Sequence, residues 1–404
     1  MVDVAHPEAS VTASLHTPLA YDVVAPFSNI LDALTLLSPA QYWATFALCA
    51  VAFFGFWTDR RARSRAGFSA MKFVRAALGF IGGTVAVLGI MLVAGRPMAS
   101  LALADRDLIA VDFHSHTDAS HDGRSGFDAE SNREWHSSSG FDAAYVTDHK
   151  TFDGALSGVA HNPARSGDRT VLLPGVELRD GDEHLILIGV DPARMQITSP
   201  DWQDAAVKAD GGPAPAMLLL SMPGNILRIP FNETNGAVRL AGIEAIDGSP
   251  RGMAQSARDQ DAILALAGKL HLAVLSASDN HGWGRTAPAW SVLRIPGWRG
   301  MTPAELDIAI RQTIVANGSR AIQVIARRTA PPPRNKVEAV AGGIVIALVM
   351  MRTMNFPDRL SWIVWSWGLG LLSLGSARGN MNNLRARSRK RAGRKLRPVI
   401  DAAA

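Results

Sequence analysis

The sequence predicts an α/β domain of barrel type carried between transmembrane helices, and three observations predict it. From residue 105 to residue 326, short apolar runs rich in β-branched residues alternate with segments that are in many cases long enough for helices. Most of these runs end in an ionisable residue, the place where barrel-type α/β proteins carry their polar groups. Outside that region lie uncharged stretches long enough to cross a bilayer, with basic residues at their flanks.

Residues 1–39 contain no Lys or Arg and show no period that defines an element. They supply no charged leader of the signal-peptide kind, so membrane insertion is expected to rest on internal spans. Residues 40–57 (AQYWATFALCAVAFFGFW) are uncharged, bracketed by Trp43 and Trp57, and followed by Asp59-Arg60-Arg61. Residues 76–95 (AALGFIGGTVAVLGIMLVAG) repeat the pattern and end at Arg96. A bilayer core needs about 20 apolar residues and draws Trp to its interfaces, so both read as transmembrane helices within a 40–95 unit. The only cysteine, Cys49, lies inside the first span, which rules out a disulfide framework or a thiolate metal cluster built from one chain.

The 404-residue chain is basic overall, with 41 Lys and Arg against 36 Asp and Glu. Between residues 101 and 326, however, there are 19 Lys and Arg against 28 Asp and Glu, a net charge of −9. A duplex-binding face is therefore not expected, and no nucleic-acid partner is assigned. The strand runs in order are LIAVDF, AAYVTDH, VLLPGVE, HLILIGV, AMLLLSM, GIEAID and LAVLSASD. Continuous apolar runs of this kind suit parallel strands buried on both faces. After them, 327–338 (RRTAPPPRNKVE) is a Pro-rich basic linker. Residues 339–377 hold one or two further spans: 339–356 is interrupted by Arg352, whereas 360–377 is uninterrupted. The tail, 378–404, has nine basic residues between Arg378 and Arg397 and suits the cytoplasm or lipid headgroups.

The chemistry concentrates at the strand ends. LIAVDF leads into His114-Ser115-His116, and residues i and i+2 of a strand point to one face, so both imidazoles can reach one ion. His121 and Asp122 come next. The next strands end in Thr147-Asp148-His149 and in Pro174-Gly175-Val176-Glu177, His184 opens another, and a late strand ends in Ser278-Asp279-Asn280-His281. Imidazole and carboxylate ligands in this mixture suit Zn, Mn or Fe. Asp148 can serve only to cap or orient, and Trp283 and Trp290 read first as packing residues.

H-x-H, then T-D-H, then P-G-x-E followed by a histidine, then S-D-x-H, resembles the polymerase and histidinol phosphatase (PHP) domain across about 105–326. The resemblance implies a distorted (β/α)7 barrel with two or three divalent ions. It further implies one ion held by His114, His116, Glu177 and Asp279, and a second by His149 and His281 with His121 or Asp122. Glu177 and His184 would serve the remaining position, with Glu177 bridging. Glu177, Asp279 and His281 are thereby the expected catalytic residues, and Lys150, Arg179 and Arg285 the expected partners of substrate charge. The family often adds a histidine before a mid-domain proline, but here that stretch reads Leu220-Ser221-Met222-Pro223-Gly224, so two ions are better provided for than three.

The expected activity is that of a membrane-anchored, metal-dependent hydrolase acting on a small phosphate ester. The alternatives are hydrolysis of another ester or amide by the same site, or a non-catalytic membrane sensor. Arg60, Arg61, Arg63, Arg65, Lys72 and Arg75 between the first two spans place that loop in the cytoplasm. The barrel is then expected outside a bacterial cytoplasmic membrane, with 339–356 interfacial or re-entrant so that the basic tail also lies inside.

Overall fold

The computed structural model describes all residues except 12, 64–68, 94, 181–182, 193–213, 223, 226–237, 328–334, 374 and 376–404. The tail from 378, Arg65 and most of the Pro-rich linker thus lie outside the described residues.

Its centre is a curled ten-stranded sheet made of β1 (Val2–Asp3), β4 (Leu108–Ser115), β5 (Ala143–Val146), β6 (Val171–Asp180), β7 (Glu183–Ile188), β8 (Ala216–Ser221), β9 (Val238–Asp247), β10 (Ala273–Ala277), β11 (Ala289–Arg294) and β12 (Ile322–Ala326). Their order across the sheet is β1-β12-β11-β4-β5-β6-β7-β8-β9-β10. A separate ribbon pairs β2 (Ala13–His16) with β3 (Ser100–Leu103). All seven apolar runs read from the sequence fall on β4 to β10, which succeed one another in space as they do in the chain. Every residue of β4, β5, β8 and β10 is buried, as continuous apolar strands with cover on both faces require.

The expectation of parallel strands fails around β7, which pairs antiparallel with both β6 and β8. Only two residues separate β6 from β7, too few for the crossover that a parallel pair needs. The sheet curls until its seven-strand stretch meets itself. Asp279 N–H donates to His114 O at 3.0 Å and His116 N–H to Asn280 O at 3.2 Å, while Ser276 N–H reaches the Ser291 hydroxyl at 2.8 Å.

The helices that pack with this sheet include α5 (Ala129–Ser139), α6 (Asp153–Ala160), α7 (Pro250–Leu270) and α8 (Pro303–Asn317). Their ends carry the expected punctuation. Asp128 caps α5 through Ser131 N–H, Ser249 caps α7 before Pro250, and Thr302 and Glu305 form a capping box on α8. Gly140 ends α5 in the left-handed conformation at φ 82°, where an added Cβ would strike the Leu101 backbone.

The first 39 residues are not the undefined segment expected of them. They form β1, β2, α1 (Leu19–Val23) and α2 (Ala25–Thr35), and β1 extends the sheet beyond β12. A pairing more than 300 residues distant leaves no local pattern to read. On α2, buried Asp32 pairs with Arg96 and with Arg327, and accepts hydrogen bonds from Tyr21 Oη at 2.8 Å and Thr286 Oγ1 at 2.7 Å. One carboxylate thus joins α2, the segment after the second long apolar helix, the end of β12 and the loop after β10.

The two apolar runs expected to span a bilayer form α3 (Pro39–Arg63) and α4 (Ala70–Val93), both long and apolar enough to cross one. The later pair, α9 (Lys336–Thr353) and α10 (Phe356–Ser373), meets that criterion only when taken together, and the two are bent 109° apart. Asn355 lies in the break and accepts the Asp358 N–H at 2.7 Å, so α10 starts afresh there.

Burial alone would raise the Asp32 carboxyl, but Arg327 and Arg96 outweigh it and hold the pKa at about 2. A depressed carboxyl stabilises the fold fully above its unfolded pKa of about 4, and the contribution is lost as pH falls through about 2. Asp32→Asn should therefore destabilise the protein by about 3–5 kcal/mol at neutral pH, since it leaves two buried guanidinium groups unanswered. It should also flatten the acid limb between pH 4 and 2, measured by near-ultraviolet circular dichroism in detergent. An acid limb identical to the wild type would remove Asp32 from this role.

Candidate metal centre

The side chains that the sequence marks as ligands meet at the end of the curled sheet. His114, the last residue but one of β4, and His116, just past it, are both buried, and their Nε2 atoms stand 2.9 Å apart. Glu177 from β6 brings its Oε2 to 3.3 Å from His114 Nε2 and 3.2 Å from His116 Nε2. Asp279, just beyond β10, brings its Oδ1 to 3.5 and 3.3 Å from the same two nitrogens. Donor atoms about 2.0–2.1 Å from a single ion at tetrahedral angles stand roughly 3.3 Å apart, so the two imidazole nitrogens have this spacing with Glu177 Oε2 and, separately, with Asp279 Oδ1.

A second group lies beside the first. His149 Nδ1 is 3.1 Å from Glu177 Oε2, and its Nε2 is 3.4 Å from Asp122 Oδ2. His281 Nε2 is 3.2 Å from Asp122 Oδ1, and the ring stacks on His116 with centroids 3.9 Å apart. His121 stands at the edge, 70% exposed, with its Nδ1 3.8 Å from Asp122 Oδ1. His184 faces the other oxygen of Glu177, its Nδ1 in contact with Oε1. Among the described residues the closest sets of potential ligand atoms are His114, His116 and Glu177; His116, His149 and His281; and His121, Asp122 and His149.

The electrostatics match a centre that takes cations. Burial would depress His114, but the carboxylates of Asp279, Glu244 and Glu177 hold it well above the ordinary histidine range. Hydrogen bonds that His116 donates to Asp279 and Glu177 likewise overcome burial and raise it to about 9. Glu177 is held well below the usual range against its own burial, chiefly by the charge of His114. Burial instead pushes His149 down to about 4 and lowers His281 as well, leaving both neutral at pH 7 with lone pairs to offer. The buried carboxylates thus demand positive charge, which a divalent ion supplies in place of two protons. His281 Nε2 and His116 Nδ1 are buried with no hydrogen-bond partner, a further sign that the donor set fits a metal.

Two backbone conformations are strained at this end of the sheet. Asp279 has φ 44° and Lys150 has φ 58°, left-handed values that a residue with a side chain rarely adopts. The Lys150 N–H donates to Glu177 O at 3.1 Å, so the strain fastens the β5 end to the β6 end. The Lys150 side chain is exposed, as is Arg179, which pairs across the strands with His184. Arg285 lies four residues past His281 and is partly buried. Asp148 accepts Thr117 N–H at 2.6 Å and the Thr117 hydroxyl at 2.7 Å, and its Oδ1 lies 4.0 Å from His116 Nδ1, behind the ligand cluster. Trp290 is core, but Trp283, also read as a packing residue, is 46% exposed because it sits in the loop after His281.

The sequence reading missed Glu244. This residue of β9 is buried, and its Oε1 lies 3.0 Å from His114 Nδ1, while its Oε2 accepts Met222 N–H at 2.9 Å and the Ser221 hydroxyl at 3.0 Å. With Oε2 occupied by two donors, Oε1 accepts from His114 Nδ1–H, which leaves the Nε2 lone pair facing the ligand cluster. Ser221 occupies the stretch where the sequence lacks the extra histidine, and its hydroxyl is 2.9 Å from the same Nδ1. A carboxylate inside an otherwise apolar strand, GIEAID, was the available signal. Neighbouring Asp247 is buried with one unpartnered oxygen, and burial followed by the charges of Asp279 and Glu244 raises its carboxyl well above the usual range.

No protein-family model and no curated protein matches this chain. Among solved structures it is similar to PsfC from Pseudomonas syringae, at 16% identity and TM-score 0.38 over 61% of this chain and 99% of that one. It is also similar to a two-domain Bacteroides vulgatus protein containing a predicted PHP-like metal-dependent phosphoesterase, at 18% identity and TM-score 0.34 over 54% and 65%. A third is an amidohydrolase from Chromobacterium violaceum, at 16% identity and TM-score 0.32 over 49% and 96%. With TM-scores below 0.5, these likenesses carry no weight beside the sheet and the ligand cluster themselves.

If Glu244 fixes the His114 tautomer, Glu244→Ala should weaken binding of Mn or Zn about 10–100-fold by isothermal titration calorimetry. Glu244→Gln should fall between, since its amide oxygen still accepts from Nδ1–H while its NH2 group meets the Met222 N–H. Metal affinity unchanged in both variants would refute the orienting role.

Proposed function

We propose that this chain is a membrane-anchored, metal-dependent hydrolase that cleaves small phosphate esters with a distorted (β/α)7 barrel. The reading is carried by one observation: His114 Nε2 and His116 Nε2 stand 2.9 Å apart, and the buried carboxylates of Glu177 and Asp279 each bring an oxygen within 3.2 to 3.5 Å of both. The PHP-like order of ligand motifs in the sequence supports it. Two divalent ions of the Zn, Mn or Fe type would be held there, one by these four residues and one by His149 and His281 with His121 or Asp122. Divalent cations supply Lewis acidity and, by lowering the pKa of water from ~15.7 toward 7, a hydroxide nucleophile at neutral pH.

The residues divide the remaining work. Glu177 shares Oε2 between His114, His116 and His149 and turns Oε1 to His184, which makes it the link between ligand groups. Asp279 holds one side of His114 and His116, and its strained backbone is tied to His114 O. His121 and Asp122 face solvent more than the rest, so substrate enters over them, while the buried His114 and His116 form the floor of the site. A third ion at Glu177 and His184 is the less well provided position.

A bilayer is the cover we assign to α3 and α4, whose apolar windows are only 6% buried within the protein. We place the barrel outside the cytoplasmic membrane, with the basic residues at the facing ends of α3 (Arg60, Arg61, Arg63) and α4 (Lys72, Arg75) inside. The bend between α9 and α10 supports a single crossing after the barrel.

His114→Ala and Asp279→Asn should each abolish turnover in a phosphate-ester panel assayed with added Mn or Zn. Glu177→Gln should cost more activity than His184→Ala, because it strips charge from two ligand groups rather than one. Equal losses at 177 and 184 would contradict the bridging role. Protease added to intact spheroplasts should remove the barrel and spare a C-terminal tag; a protected barrel would reverse the orientation.

A further inference from the structure

The rim of the site holds guanidinium groups that the fold leaves without counterions. Arg124 follows Asp122 by two residues, and its backbone N–H donates to His281 O at 2.9 Å. Its guanidinium donates to Gly282 O at 3.3 Å and lies 5.7 Å from the centre of the Trp283 ring. Arg285 sits on the same loop, and its Nε is buried with no hydrogen-bond partner. Among the described residues, neither Arg124 nor Arg285 has a carboxylate within ion-pair distance, whereas Arg96 nearby is answered by Asp32. Burial, followed by the charges of Arg124 and Arg96, lowers the pKa of Arg285, so the cations crowd one another.

The loop that carries Trp283 and Arg285 is held independently of any ligand. Asn280 Oδ1 accepts the N–H of Gly282 at 3.0 Å and of Gly284 at 2.9 Å. Trp135 Nε1–H donates to Gly284 O at 2.9 Å, and Thr286 is fastened to Asp32 and Arg96. Arg285 is therefore fixed between two anchored neighbours. A guanidinium whose Nε is buried without a partner is unfavourable, and a loop that keeps one four residues past His281 of the candidate metal centre has the character of a preformed anion site. Guanidinium forks match phosphoryl oxygens in geometry as well as charge, and an exposed indole offers its face to a planar group.

We propose that Arg124 and Arg285, with Trp283, form an anion subsite at the mouth of the metal centre. It takes the phosphoryl oxygens of an ester whose organic part is planar and stacks on Trp283. This rests on the phosphoesterase reading above, and the test separates the two. Inorganic phosphate is titrated calorimetrically into the metal-loaded, full-length protein in detergent, and turnover of an aryl phosphate is compared with that of an alkyl phosphate. Arg285→Ala and Arg124→Ala should each weaken phosphate binding about tenfold or more, as expected for lost charge-assisted hydrogen bonds. Arg285→Lys, which keeps the charge without the fork, should lie between. Trp283→Ala should leave phosphate affinity unchanged and lower kcat/KM for the aryl ester about tenfold relative to the alkyl ester. Phosphate affinity unchanged in Arg285→Ala, or equal loss of both esters in Trp283→Ala, overturns the subsite. Loss of bound metal in Arg285→Ala also overturns it, by making the arginine a structural support. Phosphate binding that depends on Arg285 without turnover of any ester leaves the subsite standing and removes the phosphoesterase reading instead.

Discussion

One buried carboxylate organises the site. Glu177 is almost wholly removed from solvent and faces His114, His116, His149 and His184, which come from three other parts of the sheet. An isolated carboxylate in that position would be strongly disfavoured, so the fold around it must deliver positive charge. The surrounding carboxylates push His114 and His116 up from the ordinary histidine range, whereas burial lowers His149 and His281 and favours their neutral, lone-pair form. The curl of the sheet, the left-handed turn at Asp279 and the Glu244 contact behind His114 all serve the same convergence.

A second buried carboxylate organises the connection between the barrel and the segments around it. Asp32 gathers Arg96, Arg327, Tyr21 and Thr286, and Thr286 belongs to the loop that begins at His281. The residues that leave the second apolar helix and those that leave the last strand therefore meet on the same carboxylate. Because two arginines and two hydroxyl groups saturate it, the joint is rigid, and the loop bearing Trp283 and Arg285 inherits that rigidity.

Local patterns made much of this legible. Seven apolar runs announced seven strands, because burial on both faces leaves no polar positions to alternate. The two histidines of His114-Ser115-His116 could be assigned to one face from the two-residue period of a strand, and their nitrogens do approach one another. Long uncharged stretches announced α3 and α4 for a similarly local reason, since length and composition suffice. The sequence itself thus determined the seven strands, the two long apolar helices and a set of candidate ligand side chains.

Pairing belongs to the tertiary structure. Whether β7 runs parallel or antiparallel depends on its neighbours, and the two-residue link to β6 decides it only once both strands are in register. Glu244 looked like any acidic residue in a strand until β9 came beside β8 and set it behind His114. Residues 1–39 carry no strong period because their partners, β12, Arg96 and Arg327, are supplied from far along the chain. Arg124 and Arg285 are separated by about 160 residues, and only the closing of the curled sheet brings both to one rim. Side-chain period and composition are properties of a short segment, whereas register and counterion are properties of two segments that meet, and that difference separates what the sequence could determine from what only folding decided.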